Sequence, residues 1–154
     1  MDKLELKLPP VAVAFVIGLL MWLVAKIHMG EQFLPQSIRL ELTALFLLLG
    51  AVVGLSGVCA FKRHKTTVDP TRPENASTLV TTGIYQISRN PMYLGLFLWL
   101  TAWSCYLSHL IAMLLLIPFV LYMNRFQIRP EERVMEGLFG PQFEIYRRNV
   151  RRWL

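Results

Sequence analysis

The chain has 154 residues, of which 55% are hydrophobic and 17% charged, with a net charge of +6 and a mean hydropathy of +0.45. A soluble domain carries about 25% charged residues, and here the apolar excess falls in blocks, so a water-soluble globule is excluded in favour of one integral membrane domain, residues 1–154. The basic excess does not call for nucleic acid: it collects beside the apolar blocks, where topology and anionic headgroups account for it.

Leu8 to Ala25 is 18 residues without a charge, Leu42 to Phe61 is 20, and Asn90 to Asn124 is 35. One crossing takes roughly 20 residues. The first two blocks therefore give one span each, at 8–27 and 39–61. The first is too long in its apolar core for a secretory leader, and no small-x-small cleavage pattern follows it. The third is too long for one span and short for two. Its most polar portion, Ser104 to His109, divides it into a tight hairpin of spans 92–106 and 110–125. The expected fold is all-α and integral to the membrane: four transmembrane helices, a cytoplasmic loop 62–91, and a tail 126–154 of cytoplasmic or interfacial helices. Four spans place 14 of the 16 Lys and Arg residues on one side, leaving Lys26 and Arg39 on the other. The positive-inside rule makes the first side cytoplasmic, with both termini on it, and a bacterial inner membrane is the expected location. Cys59 and Cys105 fall inside spans and read as buried free thiols. His28, His64 and His109 are too far apart for a metal site, so no metal is expected. The sequon at Asn75 would be inert on the cytoplasmic side.

Polar chemistry collects in the loop and the tail. The loop holds Asp69-Pro70 and Arg72-Pro73, which force extended or turn geometry. It ends in "GIYQISRNPMYLG", Gly83 to Gly95. Gly83 permits a bend, Asn90 is a candidate N-cap, and Pro91 suits the first helical position. That helix start offers free N–H groups beside Arg89, suited to a carboxylate. The tail offers Arg129-Pro130-Glu131-Glu132 as a helix start and Gly140-Pro141 as the next break. Phe143, Tyr146, Val150 and Trp153 can then face lipid while Arg147, Arg148, Arg151 and Arg152 reach headgroups. Glu131 and Glu132 suit an ammonium group, and Tyr85 and Tyr93 offer aromatic faces to an onium centre.

"GIYQISRNPMYLG" resembles the G-x-Y-x-x-x-R-H-P-x-Y-x-G segment of the isoprenylcysteine carboxyl methyltransferase and phospholipid methyltransferase superfamily. "PEERVMEGLFGPQFEIYRRNVRRW" resembles its E-E-x-x-L-x-x-x-F-G-x-x-Y-x-x-Y-x-x-x-V-x-R-W segment. The resemblance covers roughly Thr66 to Trp153. It implies an integral-membrane methyltransferase using S-adenosylmethionine bound at the cytoplasmic helix ends, with membrane lipids as surroundings and a lipophilic or lipidated acceptor, such as an isoprenylcysteine carboxylate or a phospholipid amine. Carried over residue by residue, it implies cofactor binding by Tyr85, Arg89, Asn90, Tyr93, Leu94, Gly95, Glu131, Glu132 and Tyr146. Glu132 and Arg129 are the candidates for contact with the reacting groups. Asn90 stands where the family often has histidine, Phe143 where it has tyrosine, and Met135 where it has leucine. Two alternatives share parts of the pattern: an NADPH-dependent membrane reductase of the sterol reductase type, and a non-catalytic lipid-binding membrane module.

Overall fold

The computed structural model describes residues 5–27, 32–64, 74 and 76–154. His28, the prolines at 70 and 73 and the sequon at Asn75 lie outside them. The described residues form helices and no strand: α1 (Pro10–Ile27), α2 (Gln36–Arg63), a 3-10 turn (Gly83–Gln86), α3 (Pro91–Leu107), α4 (Leu110–Phe139) and α5 (Pro141–Asn149). Three of these, α1, α2 and α4, are long and apolar enough to cross a membrane. With 17 residues, α3 rises about 26 Å, a little less than the roughly 30 Å of bilayer hydrocarbon.

Glycine decides how α2 and α3 meet. A Cβ at Gly95 would lie 2.9 Å from the Gly50 carbonyl oxygen and 3.0 Å from the Gly54 Cα. Without side chains the two backbones touch, as at small-residue crossings in membranes. The Trp99 indole N–H donates to the Leu47 carbonyl at 3.2 Å beside this crossing. α3 meets α1 through Trp103, whose indole donates to the Gly18 carbonyl at 3.0 Å. Val13, Met21, Tyr93, Leu100, Phe119 and Met123 form the core between α1, α3 and α4. The outward residues of α2, among them Leu48, Val52 and Leu55, stay exposed, which suits lipid contact. Cys105 is buried, but Cys59 is exposed, because α2 packs through its glycine face and leaves other faces uncovered.

Proline shapes α4. Pro118 has no N–H for the Leu114 carbonyl, and the helix loosens into a turn at Leu115. A π-helical turn follows at Met123–Ile128. An α-helical segment starts at Arg129 with Pro130 in its first turn, as expected, but it follows the π turn without a break and runs on to Phe139. Pro130 leaves the Phe126 carbonyl without its helical donor, and the Leu6 N–H takes that place at 3.1 Å. The Gln127 side-chain amide donates to the Leu8 carbonyl.

Glu5 completes this latch. Its side chain, only 2% exposed, accepts from Arg125 at 3.0 Å and Arg133 at 2.6 Å. Burial pushes its pKa up, but the bonds and charges of Arg125 and Arg133 outweigh that and hold it below the ordinary 4.5. A carboxylate held low in the folded chain stabilises it above the unfolded pKa, and this contribution is lost as pH falls through the folded value. Glu5→Gln is therefore expected to lower the melting temperature in detergent at pH 7. Its deficit against the parent should shrink below about pH 4; a deficit independent of pH would show that the charge of Glu5 is immaterial.

Candidate active site

The 3-10 turn, the start of α3, the second half of α4 and α5 converge on one cleft of about 860 Å³ of empty space, open mouth included. Such a volume is ordinary for a small-molecule site. Gly83, at φ +62°, takes a backbone conformation open mainly to glycine and turns the chain so that Tyr85 enters a small second core with Val80, Phe143 and Tyr146. The Tyr146 hydroxyl donates to the Tyr85 carbonyl at 2.7 Å. The Tyr85 ring lies 5.3 Å from that of Phe61 on α2. So α5 spends Phe143 and Tyr146 on the protein interior, where lipid contact was expected. Its helix ends at Asn149, and Trp153 turns inward, its indole donating to Asn124 Oδ1 at 3.1 Å.

Charge is organised around Glu132. Arg89 Nη2 donates to Glu132 Oε1 at 2.7 Å, with side chains 9% and 13% exposed. Arg152 grips the same carboxylate through Nε at 3.1 Å and Nη2 at 2.5 Å. Arg89 Nη1 donates to the Arg147 carbonyl at 2.9 Å, while its Nε is buried without a partner. The two motifs, far apart in sequence, thus meet in one ion cluster. Burial lowers the Arg89 pKa and Glu132 opposes that shift; a guanidinium nevertheless stays protonated in proteins.

Asn90 sits at the N-cap position of α3 but makes no side-chain cap bond. Its Nδ2 donates to the Arg152 carbonyl at 2.9 Å, and its backbone N–H donates to Ser88 Oγ at 3.1 Å. Both bonds tie the start of α3 to the chain around it. Glu131 differs from Glu132. It accepts from the Tyr93 hydroxyl, and among the described residues no basic side chain pairs with it.

Of the residues expected here, Tyr85, Arg89, Asn90, Tyr93, Glu131, Glu132 and Tyr146 line the cleft. Leu94, Gly95 and Arg129 do not. Leu94 is buried in the helix packing, Gly95 is consumed by the α2 crossing, and Arg129 is exposed on another face of α4. Arg152 was not singled out from sequence. Its signal was its place beside the tryptophan in the tail pattern, where it read as one of four interchangeable surface cations.

Burial raises the pKa of Tyr85, with Tyr146 and Glu131 adding to it. Burial also raises that of Tyr146, against the opposing charge of Arg89. Both phenols are therefore protonated donors at neutral pH, not bases. Tyr146→Phe is expected to cost about 1–2 kcal/mol of stability by orphaning the Tyr85 carbonyl, read from unfolding in detergent. An unchanged unfolding midpoint would mean that water replaces the bond.

A family model described as phospholipid methyltransferase matches residues 38–142. That span takes in all but the first two residues of α2, all of α3 and α4, and the cleft residues from Tyr85 to Glu132. An uncharacterized protein of Haemophilus influenzae is 46% identical over 63 residues, 41% of this chain and all of that relative. Protein-S-isoprenylcysteine O-methyltransferase of Schizosaccharomyces pombe is 30% identical over 68% of this chain and 44% of its own length. Protein-S-isoprenylcysteine O-methyltransferase B of Arabidopsis thaliana is 30% identical over 68% of this chain and 53% of its own length. The chain thus spans about half the length of the two methyltransferases. No solved structure matches it. With apolar helices built around a charged cleft, this is an integral membrane protein. The chain belongs to the phospholipid methyltransferase family.

Proposed function

We propose that the chain is an S-adenosylmethionine-dependent methyltransferase acting on a lipophilic or membrane-embedded acceptor. The observation that carries this reading is a pair of unfilled polar positions in one cleft: among the described residues Arg89 Nε is buried without a partner, and the Glu131 carboxyl group has no basic side chain beside it. Buried groups of this kind call for partners. A ligand bearing both a carboxylate and an ammonium group supplies both, and S-adenosylmethionine bears both. When bound, it supplies a methyl group already activated on a sulfonium, whose leaving group is a neutral thioether.

The chain's own residues then position and desolvate. Glu131 holds the ammonium group, and Arg89 with Asn90 holds the carboxylate. Glu132, clamped between Arg89 and Arg152, fixes the guanidinium plane and acts as a positioning residue. The rings of Tyr85, Tyr93 and Tyr146 line the pocket and favour an onium centre. Phe61, Met92 and Ile128 add an apolar wall suited to a lipophilic acceptor.

An amine acceptor must lose a proton. Tyr85 and Tyr146 are held protonated, His64 is not among the lining residues, Glu132 is paired with two arginines, and Glu131 is assigned in this reading to the ammonium group. These observations favour an acceptor that arrives without a proton to lose, such as a carboxylate of the isoprenylcysteine kind, over a phospholipid amine. We place α3 as a short third span of four, with the cleft and both described ends of the chain on the basic, cytoplasmic face of a bacterial inner membrane.

The test is a side-by-side titration of the purified protein with S-adenosylhomocysteine and NADPH. Binding of the first alone is expected. Binding of NADPH alone would make the chain a reductase, and binding of neither would make it a non-catalytic module. Mass spectrometry of membrane extracts incubated with methyl-labelled S-adenosylmethionine, with and without the protein, then names the acceptor.

A further inference from the structure

At the end of α1, α2 and α3 remote from the candidate active site lies a second cleft. It holds about 740 Å³ of empty space, open mouth included, and is lined by Trp22, Lys26, Gln32, Arg39, Tyr106 and Leu107. It contains Lys26 and Arg39, the two basic residues that the charge pattern sets apart from the other 14. Each is held over an aromatic ring: Lys26 Nζ lies 5.7 Å from the Trp22 centroid and Arg39 Cζ 5.6 Å from that of Tyr106. Arg39 Nη1 donates to Gln32 Oε1 at 2.6 Å, while its Nε is buried without a partner. Among the described residues, neither cation has a carboxylate within ion-pair distance.

The wall beside them is fixed by backbone. The Leu34 N–H donates to Ser108 Oγ at 2.8 Å, and the Phe33 N–H to the Ser108 carbonyl at 3.3 Å. Ser108 is buried in the αL turn that joins α3 to α4. Two positioned cations, one with a buried N–H that has no partner among the described residues, flank a cleft that also carries Trp22 and Tyr106, residue types that collect where a bilayer meets its headgroups. Such an arrangement is completed by an anion carrying several acceptor oxygens. A phosphate fits this need, and a phosphate at the bilayer border belongs to a phospholipid.

We propose that this cleft binds the phosphate of a phospholipid from the leaflet opposite the candidate active site. The lipid is a structural ligand there, seated across the ends of α1, α2 and α3. This proposal is independent of the reaction carried out at the other face.

The test uses the full chain, purified in a neutral detergent and studied by native mass spectrometry and thermal unfolding. Phosphatidylglycerol, phosphate-free diacylglycerol and inorganic phosphate are titrated separately. Phosphatidylglycerol is expected to remain bound and to raise the unfolding temperature, and diacylglycerol and millimolar inorganic phosphate to do neither. Lys26→Gln with Arg39→Gln should weaken phosphatidylglycerol binding by about tenfold or more. Lys26→Gln alone, at an exposed position, leaves folding untouched and should show part of that loss. Equal retention by the parent and Lys26→Gln would overturn the proposal, as would equal retention of diacylglycerol. Displacement of the lipid by inorganic phosphate would assign the cleft to a free anion instead.

Discussion

Glu131→Ala is expected to weaken S-adenosylhomocysteine binding by about 100-fold, read by titration of the purified protein. A charge-assisted hydrogen bond in a partly buried cleft contributes about 1.5–3 kcal/mol, and a hundredfold corresponds to about 2.7 kcal/mol. Stability should change much less, because among the described residues the side chain is bonded only to the Tyr93 hydroxyl. Glu131→Gln separates charge from shape: it still accepts from Tyr93 but offers an ammonium group no negative charge. Its affinity should fall nearly as far as that of the alanine variant. Full affinity in Glu131→Gln would show that the ligand does not read the charge, and the proposed role would fail. Glu132→Ala should behave differently, losing stability together with affinity, since it strips Arg89 and Arg152 of their common partner.

Gly95→Val is expected to cost about 3 kcal/mol or more and to lower the yield of folded protein in membranes. The atoms that an added Cβ would meet are backbone: the Gly50 carbonyl oxygen at 2.9 Å, the Gly54 Cα at 3.0 Å and the Gly54 nitrogen at 3.1 Å. Backbone cannot swing aside as a side-chain tip can, so α2 and α3 must separate. Gly95→Ala should show a smaller loss in the same direction. Unfolding in detergent measures both. Whatever alanine variant survives should bind S-adenosylhomocysteine normally once folded, because position 95 is outside the cleft. A stable Gly95→Ala protein with a selective binding defect would return this residue to the ligand site, where the sequence resemblance alone had placed it.

Sequence pattern was strongest where a single residue type has one physical use. Charge-free runs marked α1 and α2 closely, and the basic asymmetry paired the loop with the tail. Pro91 opened α3, and Gly140-Pro141 separated α4 from α5, as their backbone chemistry requires. Both motifs held residues of one cleft, although neither said that, among the described residues, Glu132 would be held by two arginines while Glu131 has none. That distinction depends on helix rotation, which spacing does not report.

The amphipathic face of α5 was visible as a pattern, but its partner was not. Phe143 and Tyr146 gain by leaving water whether lipid or protein covers them, and here Tyr85 and Val80 do. Continuity through Pro130 was also hidden. It depends on Leu6 reaching the Phe126 carbonyl from the far end of the described chain. Asn90 matched a cap signal and is spent on the Arg152 carbonyl, a contact between segments that no local rule links.

The π turn at Met123–Ile128 has a consequence for how related chains are compared. Such a turn is an ordinary α-helix with one residue added, and the helix on either side keeps its facing. A homologue one residue shorter between α3 and Glu131 should therefore drop that residue here. It would straighten the turn and keep both carboxylates in place. The same loss inside α3 would swing everything beyond it by roughly 100°. A one-residue gap placed within those six positions would keep both carboxylates facing the cleft.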